Sequence, residues 1–311
     1  MRSFKEVIEK TGEFPIKTVA VVEAADESVL RALDKAKKEN VAKAALFGRE
    51  SEIKAAAKKS GVSLGDMTIH DTPDEIVSAK SAALLVREGK ADIIMKGHIH
   101  TDDFLRAVVN KESGLRSGNF MSHVFVLEQE GRLILVSDGA MNIAPNFEDK
   151  AKIILNALYM AEVLHIEKPR VAVLAAVELV NPKMQATLDA AAFNQMNERG
   201  QFSPDCSIQG PFALDNAVSE FAAKHKGIKG EVAGKADVLI VPCIESGNML
   251  VKSFVYWAKG KVAGVVTGAS APVVLTSRAD NADAKFNSIA LAVLMSNMQR
   301  HLKLKVGTVN Y

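Results

Sequence analysis

Short runs of aliphatic residues, each closed by Gly, Pro or Asp, alternate with longer segments of helical period along most of the chain. That alternation leaves few folds open, because strands joined through helices run parallel and are covered by those helices. The runs lie at 18–23, 44–47, 92–95, 124–128, 133–137, 171–176, 238–242, 262–267 and 273–276. Several are unbroken Val, Ile, Leu and Ala, which predicts strands buried on both faces. The expected fold class is therefore α/β with mainly parallel sheets.

The helical segments carry one apolar stripe each. Phe286, Ile289, Ala290, Val293 and Leu294 keep the i, i+3, i+4, i+7, i+8 spacing of a single buried face. Ala151, Ile154, Leu155 and Leu158 repeat it, as do Leu250, Phe254, Val255 and Ala258. Asn146 precedes the second of these and can cap it, with Asp149 three residues on. Gly89-Lys-Ala-Asp-Ile-Ile-Met95 is echoed by Gly234-Lys-Ala-Asp-Val-Leu-Ile240. In each, Gly is read as stopping a helix ahead of a buried strand.

A length of 311 residues suits two domains of ordinary size. No low-complexity linker divides the chain, and its weakest points are 138–145 and 268–272. If the chain crosses at both, 1–140 plus 272–311 form an outer α/β domain and 141–271 an inner one, with a cleft between them.

Charge narrows the choice of partner. Lys and Arg number 39 against 37 Asp and Glu, a net charge of +2. That balance argues against nucleic acid, which needs a clustered cationic face, but leaves room for a small anion held by a few donors. Aromatic residues make up 5% with one Trp, too few for base-stacking platforms. Cys206 and Cys243 are the two cysteines, so Cys-x-x-Cys chemistry and a disulfide framework are both out and a reducing, cytoplasmic compartment is expected. The first ten residues alternate charge and apolar groups without a signal-peptide core. The apolar stretch 262–275 is too short to span a bilayer.

Phosphate loops of the Gly-x-x-x-x-Gly-Lys-Ser/Thr kind and Gly-x-Gly-x-x-Gly after the first strand are absent from the sequence. Four junctions remain at strand carboxyl ends, where α/β proteins bind ligands. The first, Lys96-Gly-His-Ile-His-Thr-Asp-Asp103, leads into a helix that Thr101 or Asp102 can cap and that carries Arg106. Free N–H groups at that helix start suit an anion. The same loop also reads as a capped turn with solvated His100, or as a metal site of His98 and His100 with Asp102 and Asp103. No second cluster supplies further ligands at recognisable spacing, and no metal is expected. The second junction, Ser137 to Pro145, reads as a turn-rich connection containing Asn142. The third, Glu245-Ser-Gly-Asn248, puts Gly247 and Asn248 at a helix start, and turn chemistry alone accounts for both. Nearby Cys243 reads as packing. The fourth is Thr276-Ser-Arg-Ala-Asp-Asn-Ala-Asp283. Asp280 and Asp283 there complement a helix dipole, whereas Arg278 is unfavourable at a helix N-terminus unless it meets an anion.

At these junctions the sequence resembles the phosphate acetyl/butyryltransferase family, the phosphotransacylases. The likeness rests on Lys96-Gly-His-Ile-His-Thr-Asp-Asp-Phe-Leu-Arg106, Asn142-Ile-Ala-Pro145, Gly210-Pro-Phe-Ala-Leu-Asp-Asn216, Gly247-Asn248 and Ser277-Arg278, five motifs in order over most of the chain. The third and fifth are closer to the butyryl branch. The resemblance implies two α/β domains of the isocitrate/isopropylmalate dehydrogenase-like type with an interdomain cleft, and a homodimer. It implies reversible conversion of acyl-CoA (butyryl or another short chain) and phosphate to acyl phosphate and CoA, with CoA as substrate and no cofactor.

By the same resemblance Ser277 lies at the reaction centre and Arg278 holds phosphate or developing charge. A carboxylate of the next helix is the base. Asp283 stands one position before the family's carboxylate, a rotation of ~100° about a helix, and Asp280 is the fallback. Arg106 matches a phosphate-binding Arg, expected to meet the same phosphate as Arg278. Lys96, His100, Thr101, Asn142, Asp215, Gly247 and Asn248 fall in the matched motifs as substrate-binding candidates. The alternatives are a phosphate acetyltransferase preferring acetyl-CoA and a metal-dependent dehydrogenase of the same fold.

Overall fold

All nine expected strands form in the computed structural model, which describes residues 1–302 and 307–310. The first part of the chain runs α1 (Phe4–Thr11), β1 (Lys17–Val22), α2 (Glu27–Lys38), β2 (Ala42–Gly48), α3 (Glu50–Ser60), β3 (Thr68–Asp71), α4 (Glu75–Arg87), β4 (Ile93–Lys96) and α5 (Thr101–Val108). Then follow β5 (Ser122–Gln129), β6 (Arg132–Ser137), α6 (Phe147–Val163), β7 (Arg170–Leu174), α7 (Gln185–Glu198), β8 (Phe202–Ser203) and β9 (Ser207–Phe212). The chain continues through α8 (Leu214–Val218), α9 (Glu220–His225), β10 (Val238–Ile240) and α10 (Ile244–Tyr256). It closes with β11 (Lys261–Thr267), β12 (Val273–Val274), α11 (Ala282–Leu302) and β13 (Thr308–Val309). Of the strands that sequence reasoning passed over, β3 is polar and half-exposed, β8 and β13 have two residues each, and β9 carries Gly210-Pro211, so none offers an apolar run.

The chain forms two compact units. A flanking unit holds Phe4–Asn119 and 262–302, and a middle unit holds Met1–Ser3, Phe120–Lys261 and 307–310. These boundaries differ from the expected ones. The crossing points near 140 and 272 fall inside units because β5 and β6 form an antiparallel hairpin whose second strand runs parallel beside β10. Likewise β11 returns antiparallel onto β12, which pairs with β4.

In the flanking unit the strands lie in the order β3-β2-β1-β4-β12-β11. Val19, Val21, Ile93, Ile94, Met95, Val273 and Val274 are fully buried, as expected of central parallel strands with helices on both faces. Helix α11 packs on α1 and α2 and also touches β4 and β12. Its burial exceeds the single stripe read from sequence: Leu291 and Ala292, off that stripe, are as buried as Ile289 and Ala290. A helix buried on every side, here with Asn287, Ser288 and Asn297 among its buried residues, is an interior helix.

In the middle unit the order is β5-β6-β10-β7-β9, with β13 and β8 as a separate antiparallel pair. Helix α6 starts as expected, with the Asn146 side chain accepting the Asp149 N–H, and it too is buried nearly all round. Helix α10 departs from expectation. Only Gly247 and Val251 are buried, Leu250, Phe254 and Val255 are partly so, and Ala258 lies exposed beyond the helix end. The repeated Gly-Lys-Ala-Asp also divides in two. Gly89 and Gly234 both take left-handed backbone ahead of a buried strand. Gly89 ends helix α4, whereas α9 has ended at His225, well before Gly234.

One feature of the flanking unit positions the site. The chain leaves β1 for β2 on one side, while β4 returns on the other, so the strand order reverses between β1 and β4. Such a switch point opens a crevice at the strand carboxyl ends. Here the loops after β1 and β4 touch: Gly97 N–H donates to the Val22 carbonyl and His98 N–H to the Glu23 carbonyl, each at 2.8 Å. A Cβ on Gly97 would collide with both carbonyls, so only glycine permits this approach.

Candidate active site

Parallel pairing of β12 with β4 aligns Val273 with Ile94 and Val274 with Met95, which carries Lys96 and residues 276–279 to one edge. There Lys96, His100, Thr101, Asp102, Ser277, Arg278 and Ala279 line a pocket of about 470 Å³. Five of the eleven residues singled out from the sequence thus meet in one place.

The Ser277 turn is held from below. Its N–H donates to Asp280 Oδ2 at 2.8 Å, and its Oγ accepts the Ala279 N–H at 3.3 Å. The hydroxyl proton is left for a ligand. Asn281 caps α11 by accepting the Ala284 N–H at 2.8 Å, and the buried Lys285 ammonium donates to the carbonyls of Asp280 at 2.6 Å and Ser277 at 3.2 Å. Sequence reasoning missed Asn281 and Lys285. The first was legible as an Asn three residues before a helical N–H; the second was not, since a lysine folded back under its own turn leaves no spacing signature.

Electrostatics single out Lys96. It is 3% exposed and its Nζ reaches the Gly97 carbonyl at 3.4 Å. Burial, then repulsion from Arg278 and Lys285, brings its pKa down to about 8, with Asp26 and Asp280 pulling the other way. Burial likewise lowers the Lys285 pKa against the pull of Asp26 and Asp280. Burial by itself would raise the Asp26 carboxyl, yet bonds from the Ser28 hydroxyl and the Val29 N–H hold it below its ordinary value. Arg278, Lys96 and Lys285 therefore gather positive charge around a pocket that an anion would neutralise.

The other expected residues lie elsewhere. Thr101 opens α5, but the cap position is His100 and no side chain bonds there, so neither Thr101 nor Asp102 caps it and the helix-start N–H groups stay available. Arg106, 76% exposed, pairs with Asp103 at 2.9 Å instead of lining the pocket beside Arg278. Asp283, 73% exposed, pairs with Lys35 at 2.8 Å, and Asp280 is engaged by the Ser277 N–H. His98 lies 3.8 Å from Asp26. Among the described residues no three His, Cys, Asp or Glu side chains gather as a metal would need.

In the middle unit, Asn142, Gly247 and Asn248 form a second cluster. Asn142 Nδ2 donates to Asp138 at 2.6 Å and to the Met121 carbonyl at 3.0 Å. Asn248 Nδ2 donates to the Gly139 carbonyl at 3.1 Å, and Gly247 lies so close to Gly139 that a Cβ would overlap it. Asp215 stands apart on α8, paired with Lys226 at 3.0 Å. Cys243 caps α10 in a reciprocal arrangement with Ser246, and burial pushes the Cys206 thiol up to about 12. Neither cysteine is placed as a nucleophile.

Residues 74–293 match the phosphate acetyl/butaryl transferase family model. The phosphate butyryltransferase of Clostridium beijerinckii is 48% identical over 95% of this chain and 98% of its own. The chain belongs to this family. The phosphate acetyltransferase of Thermotoga maritima is 43% identical over 90% of this chain and 95% of its own. A branched-chain phosphotransacylase from Enterococcus faecalis superposes with a TM-score of 0.80 at 32% identity, covering 90% of this chain and 99% of that one. A 4-hydroxythreonine-4-phosphate dehydrogenase from Klebsiella pneumoniae superposes with a TM-score of 0.53 at 13% identity, over 90% of this chain and 99% of that one. That likeness is one of fold, and it gives the dehydrogenase alternative no further support. Within the transacylase family, the pocket at Lys96, Ser277 and Arg278 falls inside the matched segment.

Proposed function

We propose that this chain transfers a short acyl group, butyryl for preference, between the CoA thiol and inorganic phosphate. The observation that carries the reading is the convergence of Lys96, Ser277 and Arg278 on one pocket at strand carboxyl ends, in a chain of the transacylase family. In the forward direction a phosphate oxygen attacks the thioester carbonyl, the C–S bond breaks, and the proton lost by phosphate ends on the CoA sulfur. Charge grows on the carbonyl oxygen and on the departing sulfur. The Ser277 hydroxyl, whose oxygen already accepts from Ala279, donates to that charge, and Arg278 neutralises it. Asp283 and Asp280 both have other partners, Lys35 and the Ser277 N–H, so the proton route favours a group of the pocket lining over either carboxylate.

The transfer is redox-neutral and needs no electron carrier; CoA is a substrate. We assign the chain to the cytoplasm and to a homodimer. No helix among the described residues is long and apolar enough to cross a membrane. The exposed Met249, Tyr256 and Trp257 of α10 and its end, the last 86% exposed, support a second copy covering that helix. Preference for acetyl-CoA remains the second reading, favoured by the likeness to the Thermotoga maritima enzyme. Each methylene changes selectivity by only about 1–3 kcal/mol, so overlapping use of both donors is expected.

The test is release of free thiol from acetyl-, butyryl- and isobutyryl-CoA with and without phosphate. Phosphate-dependent release, fastest with butyryl-CoA, supports the reading. Release from none of the donors when phosphate is present overturns it.

A further inference from the structure

Lys96 and Lys285 are both buried cations of the described flanking unit without an ion pair, but Lys285 donates to two carbonyls at 2.6 and 3.2 Å, whereas Lys96 keeps most of its donors free. It ends β4 at the switch point and lines the pocket with Ser277 and Arg278. Among the described residues its one hydrogen bond is the 3.4 Å contact to the Gly97 carbonyl, so two of the three ammonium donors have no partner among them. No carboxylate among the described residues lies within ion-pair distance. A buried charge left in this state is costly unless a ligand supplies the missing partner. One residue before Ser277, the buried Thr276 hydroxyl also lacks a protein partner.

We infer that Lys96 is the phosphate-binding residue of the site, that it binds as the ammonium, and that its protonation gates phosphate affinity without gating acyl-CoA affinity. The inference rests on the transacylase reading and names the residue that distinguishes its two substrates. The groups facing Lys96 come from three segments. The loop after β12 brings Arg278 and Asp280, α11 brings Lys285, and the start of α2 brings Asp26. His100 and Asp102 share the pocket lining from the α5 side. The cations and burial together hold its pKa to about 8. A phosphate dianion placed against the ammonium adds negative charge, so the pKa of Lys96 rises and binding takes up a proton. Acyl-CoA presents its thioester, which is uncharged, to the same pocket and has no such effect.

The experiment measures KM for phosphate and for butyryl-CoA across about pH 7 to 9.5, in the direction that consumes butyryl-CoA, so that no substrate thiol titrates. In the wild-type chain KM for phosphate should climb above about pH 8, approaching tenfold per pH unit, while KM for butyryl-CoA changes less than threefold. Lys96→Arg keeps its charge throughout, so it should bind phosphate at neutral pH and lose the alkaline climb. Lys96→Met should raise KM for phosphate more than tenfold at neutral pH and flatten its pH dependence. Calorimetry with phosphate alone, in buffers of different ionisation enthalpy near pH 8, should detect proton uptake by the wild type that Lys96→Arg lacks.

An unchanged KM for phosphate in Lys96→Met, or an alkaline climb in Lys96→Arg equal to wild type, overturns the inference. If Lys96→Met does not fold, the Arg variant and the calorimetry still decide. Failure of the transacylase reading is distinguishable: it abolishes phosphate-dependent thiol release in the wild type, while phosphate binding and its proton uptake are still measured.

Discussion

Each unit presents a polar cluster where two neighbouring parallel strands end, and the two clusters handle their hydrogen bonds in opposite ways. In the middle unit, β6 and β10 end side by side, and Asp138 follows β6. Its buried carboxylate accepts N–H groups from His123, Ala140, Met141 and Asn142 together with the Asn142 amide. Gly139 and Gly247 close on one another beside it. In the flanking unit, β4 and β12 end side by side, and Lys96, Ser277 and Arg278 keep donors without protein partners around an open pocket. A cluster whose groups satisfy each other holds a turn in place. One whose donors stay free is prepared for a ligand, and it bears the cost of that preparation in stability.

The sharpest way to break this comparison is to remove Asp138. The Ala variant removes five hydrogen bonds to buried or partly buried donors, and stability should fall by about 4 kcal/mol, the scale for removing one member of a buried charged network. Urea unfolding measures it. Activity per folded molecule should hold within a few fold. A variant that is fully stable yet inactive would move Asp138 from scaffold to chemistry and erase the distinction. Ser277→Ala and Arg278→Ala are the converse. Each should lower kcat by about a hundredfold, near 3 kcal/mol for one lost donor to developing charge, with unfolding midpoints close to wild type. Near-normal turnover in either removes the pocket from the reaction.

Lys96 sharpens the comparison through pH. Its folded pKa is about 8, below the ordinary lysine value of 10.5. Between those values the unfolded chain binds more protons than the folded one, so stability rises with pH across that window. From about pH 8 to pH 10 the gain is about 2 kcal/mol for this one group. Lys96→Met should lack that slope and be the more stable chain at neutral pH. A Met variant less stable than wild type at neutral pH would mean that the ammonium serves the fold and not a ligand.

How much of this was legible in the sequence follows from where each signal originates. Strands β1, β4 and β10 announce themselves because central parallel strands must be apolar on both faces. Polar β3 and β9 with its Gly-Pro could not, since pairing with β2 and β7 is a tertiary fact. The stripe on α11 was legible, but its burial all round was not, because α1 and α2 cover it from distant sequence. Ser277 and Arg278 were legible from the cost of a cation at a helix start. That Lys96 lies beside them depends on the pairing of β12 with β4, which no local pattern encodes. The expected role of Asp283 came from the family resemblance, one position out of register, and the direction of a side chain at a helix start depends on what it meets across the groove, here Lys35.

Asp283 gives the smallest effect and the finest discrimination. Its carboxylate is exposed and bound to an exposed lysine of α2, and exposed pairs of this kind contribute between nothing and about 1 kcal/mol. Asp283→Asn should therefore leave kcat within about threefold of wild type, and the unfolding midpoint nearly unmoved. Asp280→Asn should do more, because it weakens the bond that holds the Ser277 N–H at 2.8 Å. Its effect should appear in kcat, with KM for phosphate little changed, as for a group that positions the reacting hydroxyl. If the order is reversed, so that Asp283→Asn loses a hundredfold and Asp280→Asn little, then Asp283 leaves Lys35 during turnover and reaches the reacting atoms. The division between prepared and satisfied groups would then describe only the resting protein.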